Sequence, residues 1–239
     1  MPATAGARHK LARYVREGGA WRREWVEGEH AANIFGIDFS KNNRSLAYIY
    51  STASKPYQIY GGTLEGSRIV SPARLTDLNA GYAKKVVSRT ELVRWKGARD
   101  EEVEGLLYYP HEYEPGKKYP LVVMIHGGPA AADFDQWSDS FAYPHQVLAQ
   151  RGAFLFKPNY HGSSHYGLKW VESIGGGNYY DLEVPDIEKG VDSLIARGLV
   201  DPEKLGVMGW SNGAILTIAL TVETTRYKAA AAGAGDVEW

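Results

Sequence analysis

A serine stands between two glycines at residues 209–213, where the sequence reads GWSNG. A short apolar run, residues 205–208, precedes this pentapeptide, and a stretch with helical character, residues 214–224, follows it. A strand that turns sharply into a helix holds such a serine in a strained backbone conformation with its hydroxyl exposed. Glycines flank it because larger side chains would collide with the adjoining strand and helix. Ser211 is therefore the candidate nucleophile for acyl transfer.

A second apolar run, residues 121–125, is followed at once by the tetrapeptide HGGP, residues 126–129. In α/β-hydrolases a glycine-rich turn after an early central strand supplies one backbone N–H to the oxyanion hole, and the residue after the nucleophile supplies the other. The candidate donors are therefore Gly128 and Asn212. Loss of one such donor typically raises the activation free energy by about 3 to 4 kcal/mol. A simple turn that ends a strand is the alternative interpretation of HGGP.

Four segments together resemble the prolyl oligopeptidase family of serine peptidases, with the closest likeness to its acylaminoacyl-peptidase and dipeptidyl-peptidase branches. They are, in chain order, HGGP at 126–129, NYHGSSHYG at 159–167, Asp201 with Pro202, and GWSNG at 209–213. The resemblance implies a β-propeller that caps an α/β-hydrolase domain and limits substrates to short peptides. It is specific from about residue 103 to residue 239. The chain departs from the family at His161, where many relatives carry Arg, and at Ala214, where a further Gly is usual.

The same resemblance suggests roles for other side chains. Tyr166 and Trp239 are the candidate substrate-binding residues, because Trp239 matches an aromatic residue that lines the pocket in some relatives. Packing of Trp239 on the edge of the sheet is an equally weighted alternative. His161 and His165 are interpreted as loop or pocket-lining residues. A metal site there has no support from a motif such as HExxH, and we expect no metal or organic cofactor.

The order of the histidines and acids does not provide a complete catalytic triad. In α/β-hydrolases the nucleophile is followed by an acid and then by a histidine. Every histidine here precedes Ser211, and only Glu223, Asp236 and Glu238 are acidic after it. These acids come too early, so we expect the chain to stop inside the hydrolase domain, with the base and its acid outside it. His126 is the alternative base, although the histidine of this motif is structural in relatives.

Composition excludes several classes of function. The net charge is −1, from 27 Lys and Arg against 28 Asp and Glu, so no basic surface for nucleic acid is expected. The chain has no cysteine, which excludes disulfides and thiolate metal sites. No apolar stretch approaches the ~20 residues of a membrane-spanning helix, and no signal peptide is apparent. We therefore expect no membrane association and a cytoplasmic location.

Residues 1–80 predict short β-strands at 34–40, 46–50 and 58–60, with a turn at 41–43 and a break at Gly61 and Gly62. Closely spaced strands rich in Tyr and Trp suit the four-stranded blades of a propeller. Eighty residues suffice for about two blades, and a propeller needs at least four, so this part is predicted to be incomplete. An independent small β-domain is the alternative.

From residue 81 the pattern changes to strands that alternate with helices, as a largely parallel sheet requires. A hairpin is predicted at 92–95 and 104–109. Gly198 is the predicted C-cap of the helix at 184–197. Further strands are predicted at 121–125, 153–156, 205–208 and 228–232, and a helix at 184–197. The predicted fold class is therefore α/β: the N-terminal half of an α/β-hydrolase domain, residues 81–239, preceded by β-strands of an incomplete β-propeller, residues 1–80.

The parent protein is predicted to be a serine peptidase that hydrolyses short peptides. The 239-residue chain alone is expected to be inactive. A carboxylesterase is the nearest alternative, because the same turn and oxyanion hole serve ester hydrolysis. A fragment without catalytic function is the other alternative. A sheet that ends one strand after the serine leaves an unpaired edge, and open edges favour association. A homo-oligomer, or association with the missing C-terminal part, is therefore expected.

Overall fold

The structure, a computed structural model, describes residues 1–138, 140, 142–177 and 179–236. The chain divides into two units. The first comprises residues 1–86 together with 134–138, and the second comprises residues 87–133 and 139–239. The first of these units extends to residue 86, and the domain boundary predicted at residue 80 stays a prediction. A short segment of the predicted hydrolase part, residues 134–138, also belongs to the first unit.

The first unit is built of antiparallel sheets. Within the described residues, one sheet has three strands: β1 (Pro2–Ala5), β2 (Arg8–Glu17) and β3 (Ala20–Trp25). The other has four strands paired in chain order: β4 (Ile34–Phe39), β5 (Ser45–Thr52), β6 (Lys55–Glu65) and β7 (Arg68–Arg74). The strands predicted at 34–40, 46–50 and 58–60 correspond to β4, β5 and β6. A four-stranded antiparallel meander is the arrangement of a propeller blade.

The predicted break at Gly61 and Gly62 is wrong, because β6 continues through both residues. Gly61 pairs with Ala47 and Gly62 with Leu46 on β5, while the register with β7 shifts at this point. A side chain at Gly62 would lie 3.0 Å from Ile69. The glycines therefore allow an irregular register and close packing within the strand, which are common roles of glycine in sheets.

The second unit contains a six-stranded sheet in its described residues, in the order β13-β12-β10-β11-β9-β8. Its strands are β8 (Thr90–Lys96), β9 (Glu102–Tyr108), β10 (Tyr119–Ile125), β11 (Phe154–Asn159), β12 (Val200–Trp210) and β13 (Tyr227–Gly233). β10 to β13 are parallel, whereas β8 and β9 form the predicted antiparallel hairpin. The α/β fold class is confirmed.

Four α-helices accompany this sheet in the described part of the chain: α1 (His145–Gln150), α2 (Leu168–Glu172), α3 (Glu183–Ala196) and α4 (Asn212–Glu223). Two 3-10 turns span Ala80–Lys84 and Ala98–Asp100. None of the described helices is both long and apolar enough to cross a bilayer.

α3 forms because its apolar residues recur at helical spacing. Ile187, Val191 and Leu194 are fully buried in the core of the unit. Gly198 follows with a positive φ of 74°, and its N–H bonds the Ile195 carbonyl at 2.9 Å. A left-handed glycine is the usual end of a helix, so the predicted helix and its C-cap are confirmed.

The sheet topology brings the two predicted motifs to one edge. β10 and β12 are parallel neighbours, and the last residue of β10, Ile125, pairs with Gly209. The HGGP turn leaves β10 at the same end at which the GWSNG pentapeptide leaves β12. Carboxyl ends of adjacent parallel strands are where α/β folds place their sites.

Candidate active site

Ser211 occupies the sharp turn between β12 and α4. β12 ends at Trp210, α4 begins at Asn212, and Ser211 between them has φ 55° and ψ −123°. This conformation is unfavourable for a residue with a side chain and must be held by its surroundings. The Ser211 N–H donates to the Gly233 carbonyl at 2.9 Å, and the Ser211 carbonyl accepts from the N–H of Ala214 at 2.9 Å. Ser211 itself is exposed.

The flanking glycines are required by close contacts. A Cβ at Gly209 would overlap the carbonyl of Gly213, and one at Gly213 would overlap the carbonyl of Ile125 on β10. A Cβ at Gly127 would lie 2.9 Å from the Trp210 carbonyl oxygen and 3.3 Å from Ser211 Cβ. The HGGP turn therefore lies directly against the serine.

Gly128 and Asn212 both present backbone N–H groups that donate to no acceptor among the residues that the structure describes. Gly128 has φ 132°, and a Cβ there would lie 2.6 Å from the Ala130 nitrogen, so only glycine fits. Asn212 is the first residue of α4, where helical N–H groups have no partner within the helix. Two such donors beside a serine can stabilise the negative charge that develops on a carbonyl oxygen under attack.

His126 is buried, and both of its ring nitrogens are occupied. Nδ1 lies 2.8 Å from the Gly127 carbonyl oxygen and Nε2 lies 3.0 Å from Ser163 Oγ. A carbonyl only accepts, so Nδ1 carries the proton and Nε2 accepts from the Ser163 hydroxyl. Burial lowers the pKa of His126, which keeps the ring neutral. These contacts fit the structural role predicted for His126 better than the role of base.

His161 lies in the loop that follows β11, as predicted, and its side chain is fully buried rather than open to a pocket. Its Nδ1 is 2.6 Å from Asp186 Oδ2, its Nε2 is 2.7 Å from Glu101 Oε2, and its ring stacks on Trp170 at 3.7 Å. Burial acts to lower the pKa of His161, but bonds and charges of Asp186 and Glu101 outweigh burial and raise it. Sequence alone gave no signal for this partnership, since the carboxylates are distant in the chain.

The buried His161 predicts a pH-dependent stability. Because its pKa is raised in the folded state, its contribution is fully present below its ordinary value of about 6.5. The contribution is lost as the pH rises through the higher folded-state value. We expect His161→Gln to lower the free energy of unfolding by about 3 kcal/mol at acidic pH, the usual cost of breaking a buried pair. The deficit should shrink as the pH rises.

Urea unfolding of wild type and variant over a series of pH values measures this effect. His165→Gln is the matched control, because His165 lies on the same loop but is exposed. A deficit that is constant with pH, or that grows as the pH rises, would contradict a charged His161.

The predicted substrate-binding residues differ in what can be described. The Tyr166 hydroxyl accepts from Asn159 Nδ2 at 2.9 Å and donates to Glu104 Oε1 at 3.1 Å, and the residue is half-buried. Trp239 lies outside the described residues. Both assignments stay predictions. Among the described residues, no group of three or more His, Cys, Asp or Glu is arranged to hold a metal ion.

Two tyrosines near the serine carry contacts that no motif indicated. Tyr143 OH lies 3.1 Å from the Trp210 nitrogen, and Tyr160 OH lies 3.1 Å from Asn212 Nδ2. Tyr143 comes from the loop before α1, and Tyr160 comes directly after β11. Tyr160 lies within the segment 159–167 that carries the family resemblance, whereas no sequence pattern distinguishes Tyr143.

A model of the prolyl oligopeptidase family matches residues 139–239. The match covers fewer than half of the 239 residues, and over this part the chain is similar to that family. Over 159 residues the chain is 31% identical to the uncharacterized peptidase YuxL of Bacillus subtilis. The aligned region covers 66% of this chain and 23% of that protein. Over 138 residues it is 33% identical to dipeptidyl peptidase 8 of Homo sapiens, which covers 56% of this chain and 15% of that protein.

The acylaminoacyl peptidase of Pyrococcus horikoshii has the same fold over 98% of this chain and 35% of its own, with a TM-score of 0.74 and 24% identity. The chain thus spans less than a quarter of the two curated relatives and about a third of this solved structure. The similarity to this family and the shared fold agree with the resemblance predicted from the sequence motifs.

Proposed function

We propose that the protein containing this chain is a serine peptidase that hydrolyses short peptides by acyl transfer through Ser211. The observation that carries the proposal is the strained, exposed Ser211, which lies against a glycine turn. The nearby backbone N–H groups of Gly128 and Asn212 have no partner among the described residues. Relatives named as dipeptidyl and acylaminoacyl peptidases support a peptide substrate over an ester.

In the proposed reaction, Ser211 Oγ attacks the scissile carbonyl carbon while a base takes the hydroxyl proton. The carbonyl oxygen becomes negatively charged and accepts hydrogen bonds from the N–H groups of Gly128 and Asn212. The intermediate then expels the amine, which receives the proton from the base. Water hydrolyses the resulting acyl ester by the same steps and restores Ser211.

We propose that the base and its acid come from sequence outside this chain. Both nitrogens of His126 bond other groups, and the nitrogens of His161 bond the buried carboxylate of Asp186 and the exposed carboxylate of Glu101. Neither is arranged to take a proton from Ser211. Tyr166 and Trp239 are proposed to contact the substrate on the side of the residue before the cleaved bond.

A fluorophosphonate probe tests the nucleophile, because it reacts with serines that are activated by a base. In a longer polypeptide that includes the base, we expect labelling to map to Ser211 by mass spectrometry. The 239-residue chain alone should label far more slowly. Labelling of another serine, or of none, would contradict the assignment, and fast labelling of the 239-residue chain would place a base among its seven histidines.

Paired substrates separate peptidase from esterase activity. The longer polypeptide is expected to cleave aminoacyl and acylaminoacyl p-nitroanilides as well as the matching p-nitrophenyl esters. Hydrolysis of esters with no measurable cleavage of the anilides would favour the carboxylesterase alternative, since amide hydrolysis requires protonation of a poor leaving group.

A further inference from the structure

Two tyrosine hydroxyls bond consecutive carbonyls at the end of β10. Tyr143 OH donates to the Ile125 carbonyl at 3.0 Å, and Tyr160 OH donates to the His126 carbonyl at 2.8 Å. These carbonyls belong to the last residue of β10 and the first residue of the turn that carries Gly128. The backbone leading into the predicted oxyanion hole is thus held at two successive residues by side chains from two different loops.

Each hydroxyl also accepts a hydrogen bond from a residue next to Ser211. Tyr143 OH accepts from the Trp210 N–H at 3.1 Å, and Tyr160 OH accepts from Asn212 Nδ2 at 3.1 Å. Trp210 and Asn212 are the two immediate neighbours of the serine in the chain. The two tyrosines therefore connect both sides of Ser211 to the strand that carries the opposite half of the site.

The position of these bonds in the sheet explains why they are needed. The described ladder between β10 and β12 ends with Ile125 opposite Gly209. One residue further on, the Tyr143 hydroxyl bridges the Ile125 carbonyl and the Trp210 N–H, so a side chain takes over from the backbone ladder. Burial raises the pKa of Tyr143 and of Tyr160, which keeps both hydroxyls protonated and able to donate.

We propose that Tyr143 and Tyr160, here called the tyrosine clamp, are positioning residues that fix the Gly128 N–H relative to Ser211. The proposal rests on the proposed function, because it assigns Gly128 to the oxyanion hole. Donors in an oxyanion hole are effective when they are held in advance where charge develops, and displacement of the reacting groups by about 1 Å can cost a hundredfold in rate. The clamp holds the backbone in place beyond the last described pair between β10 and β12, Ile125 with Gly209.

The test compares Tyr143→Phe and Tyr160→Phe in a longer polypeptide that is active. Tyr119→Phe is the matched control, because the Tyr119 hydroxyl also bridges a backbone N–H, of Glu114 at 2.8 Å, and a backbone carbonyl, of Glu112 at 3.2 Å. Tyr119 lies at the start of β10, at the far end from the serine. Active sites are counted with the fluorophosphonate probe, so that kcat refers to folded enzyme only.

We expect each clamp variant to lower kcat by about tenfold, the scale of one net hydrogen bond, with little change in KM. A peptide boronic acid, whose tetrahedral adduct places an oxygen in the oxyanion hole, should bind each variant weaker by the same factor. Affinity for a product peptide should not change, and Tyr119→Phe should match wild type. A merely structural role would not move the boronate affinity in proportion to kcat.

Wild-type kcat in Tyr143→Phe, or a loss of kcat with unchanged boronate affinity, would overturn the clamp. Tyr143 decides the matter even if Tyr160→Phe does not fold, since Tyr143 is half-buried whereas Tyr160 is fully buried. Ser211→Ala distinguishes the two proposals. Hydrolysis that survives in Ser211→Ala overturns the proposed function and the clamp together, whereas loss there with normal clamp variants overturns the clamp alone.

Discussion

Replacement of Ser211 by alanine is expected to lower kcat for peptide hydrolysis by about a millionfold, the scale seen when a serine peptidase loses its nucleophile. Without Oγ no acyl ester forms, and only the oxyanion donors and substrate binding remain to assist attack by water. The fold should persist, because the serine side chain is exposed and its backbone bonds to Gly233 and Ala214 need no hydroxyl. Steady-state kinetics on a p-nitroanilide and thermal unfolding measure both expectations.

Ser193→Ala is the matched control, since Ser193 lies on α3 and its hydroxyl donates to the Gly190 carbonyl of the same helix. It should retain wild-type kinetics. An active Ser211→Ala variant with normal fluorophosphonate labelling would show that another residue is the nucleophile.

Gly213→Ala is expected to have the largest effect on stability. The added Cβ would overlap the Ile125 carbonyl oxygen and lie 2.9 Å from that of His126, so either β10 or α4 must move. Overpacking typically costs about 1 to 3 kcal/mol, and we expect the upper end of this range because the clash is with backbone atoms and displaces the serine turn. We expect a marked fall in the free energy of unfolding by urea, or an insoluble product, and loss of activity in any folded fraction.

Gly206→Ala provides the control on β12, the strand that precedes α4. Its added Cβ would lie 3.6 Å from the nearest atom, the Ala229 carbonyl oxygen, which is an ordinary contact. Gly206→Ala should stay close to wild type in stability. Gly213→Ala with wild-type stability and activity would show that the helix and strand are less closely packed than described.

The sequence predicts the elements of the second unit well because their signals are local. The apolar runs that became β10 and β12, and the spacing of Ile187, Val191 and Leu194 in α3, are patterns within one element. The break predicted at Gly61 and Gly62 failed for the opposite reason. Whether a glycine ends a strand or admits a neighbour depends on the strand that packs beside it, here β7, and a single-strand pattern does not contain that information.

The same distinction between local signals and contacts across the chain applies to the candidate site. The turn at Ser211 is encoded by five consecutive residues, so the sequence located it. The contacts of His161 with Glu101 and Asp186, and those of Tyr143 with Ile125 and Trp210, join segments far apart in the chain. The hydrogen-bond partners of side chains outside any motif can be identified only when the fold brings distant segments together.

The hydrogen bond from the Ser211 N–H to the Gly233 carbonyl ties the serine to a strand that the chain reaches only after α4. During synthesis, the turn at Ser211 therefore leaves the ribosome before the acceptor that closes it. The strained conformation lacks this hydrogen bond until β13 has been made and has paired with β12. The last hydrogen bond of the Ser211 turn therefore forms only when the neighbouring part of the sheet is in place.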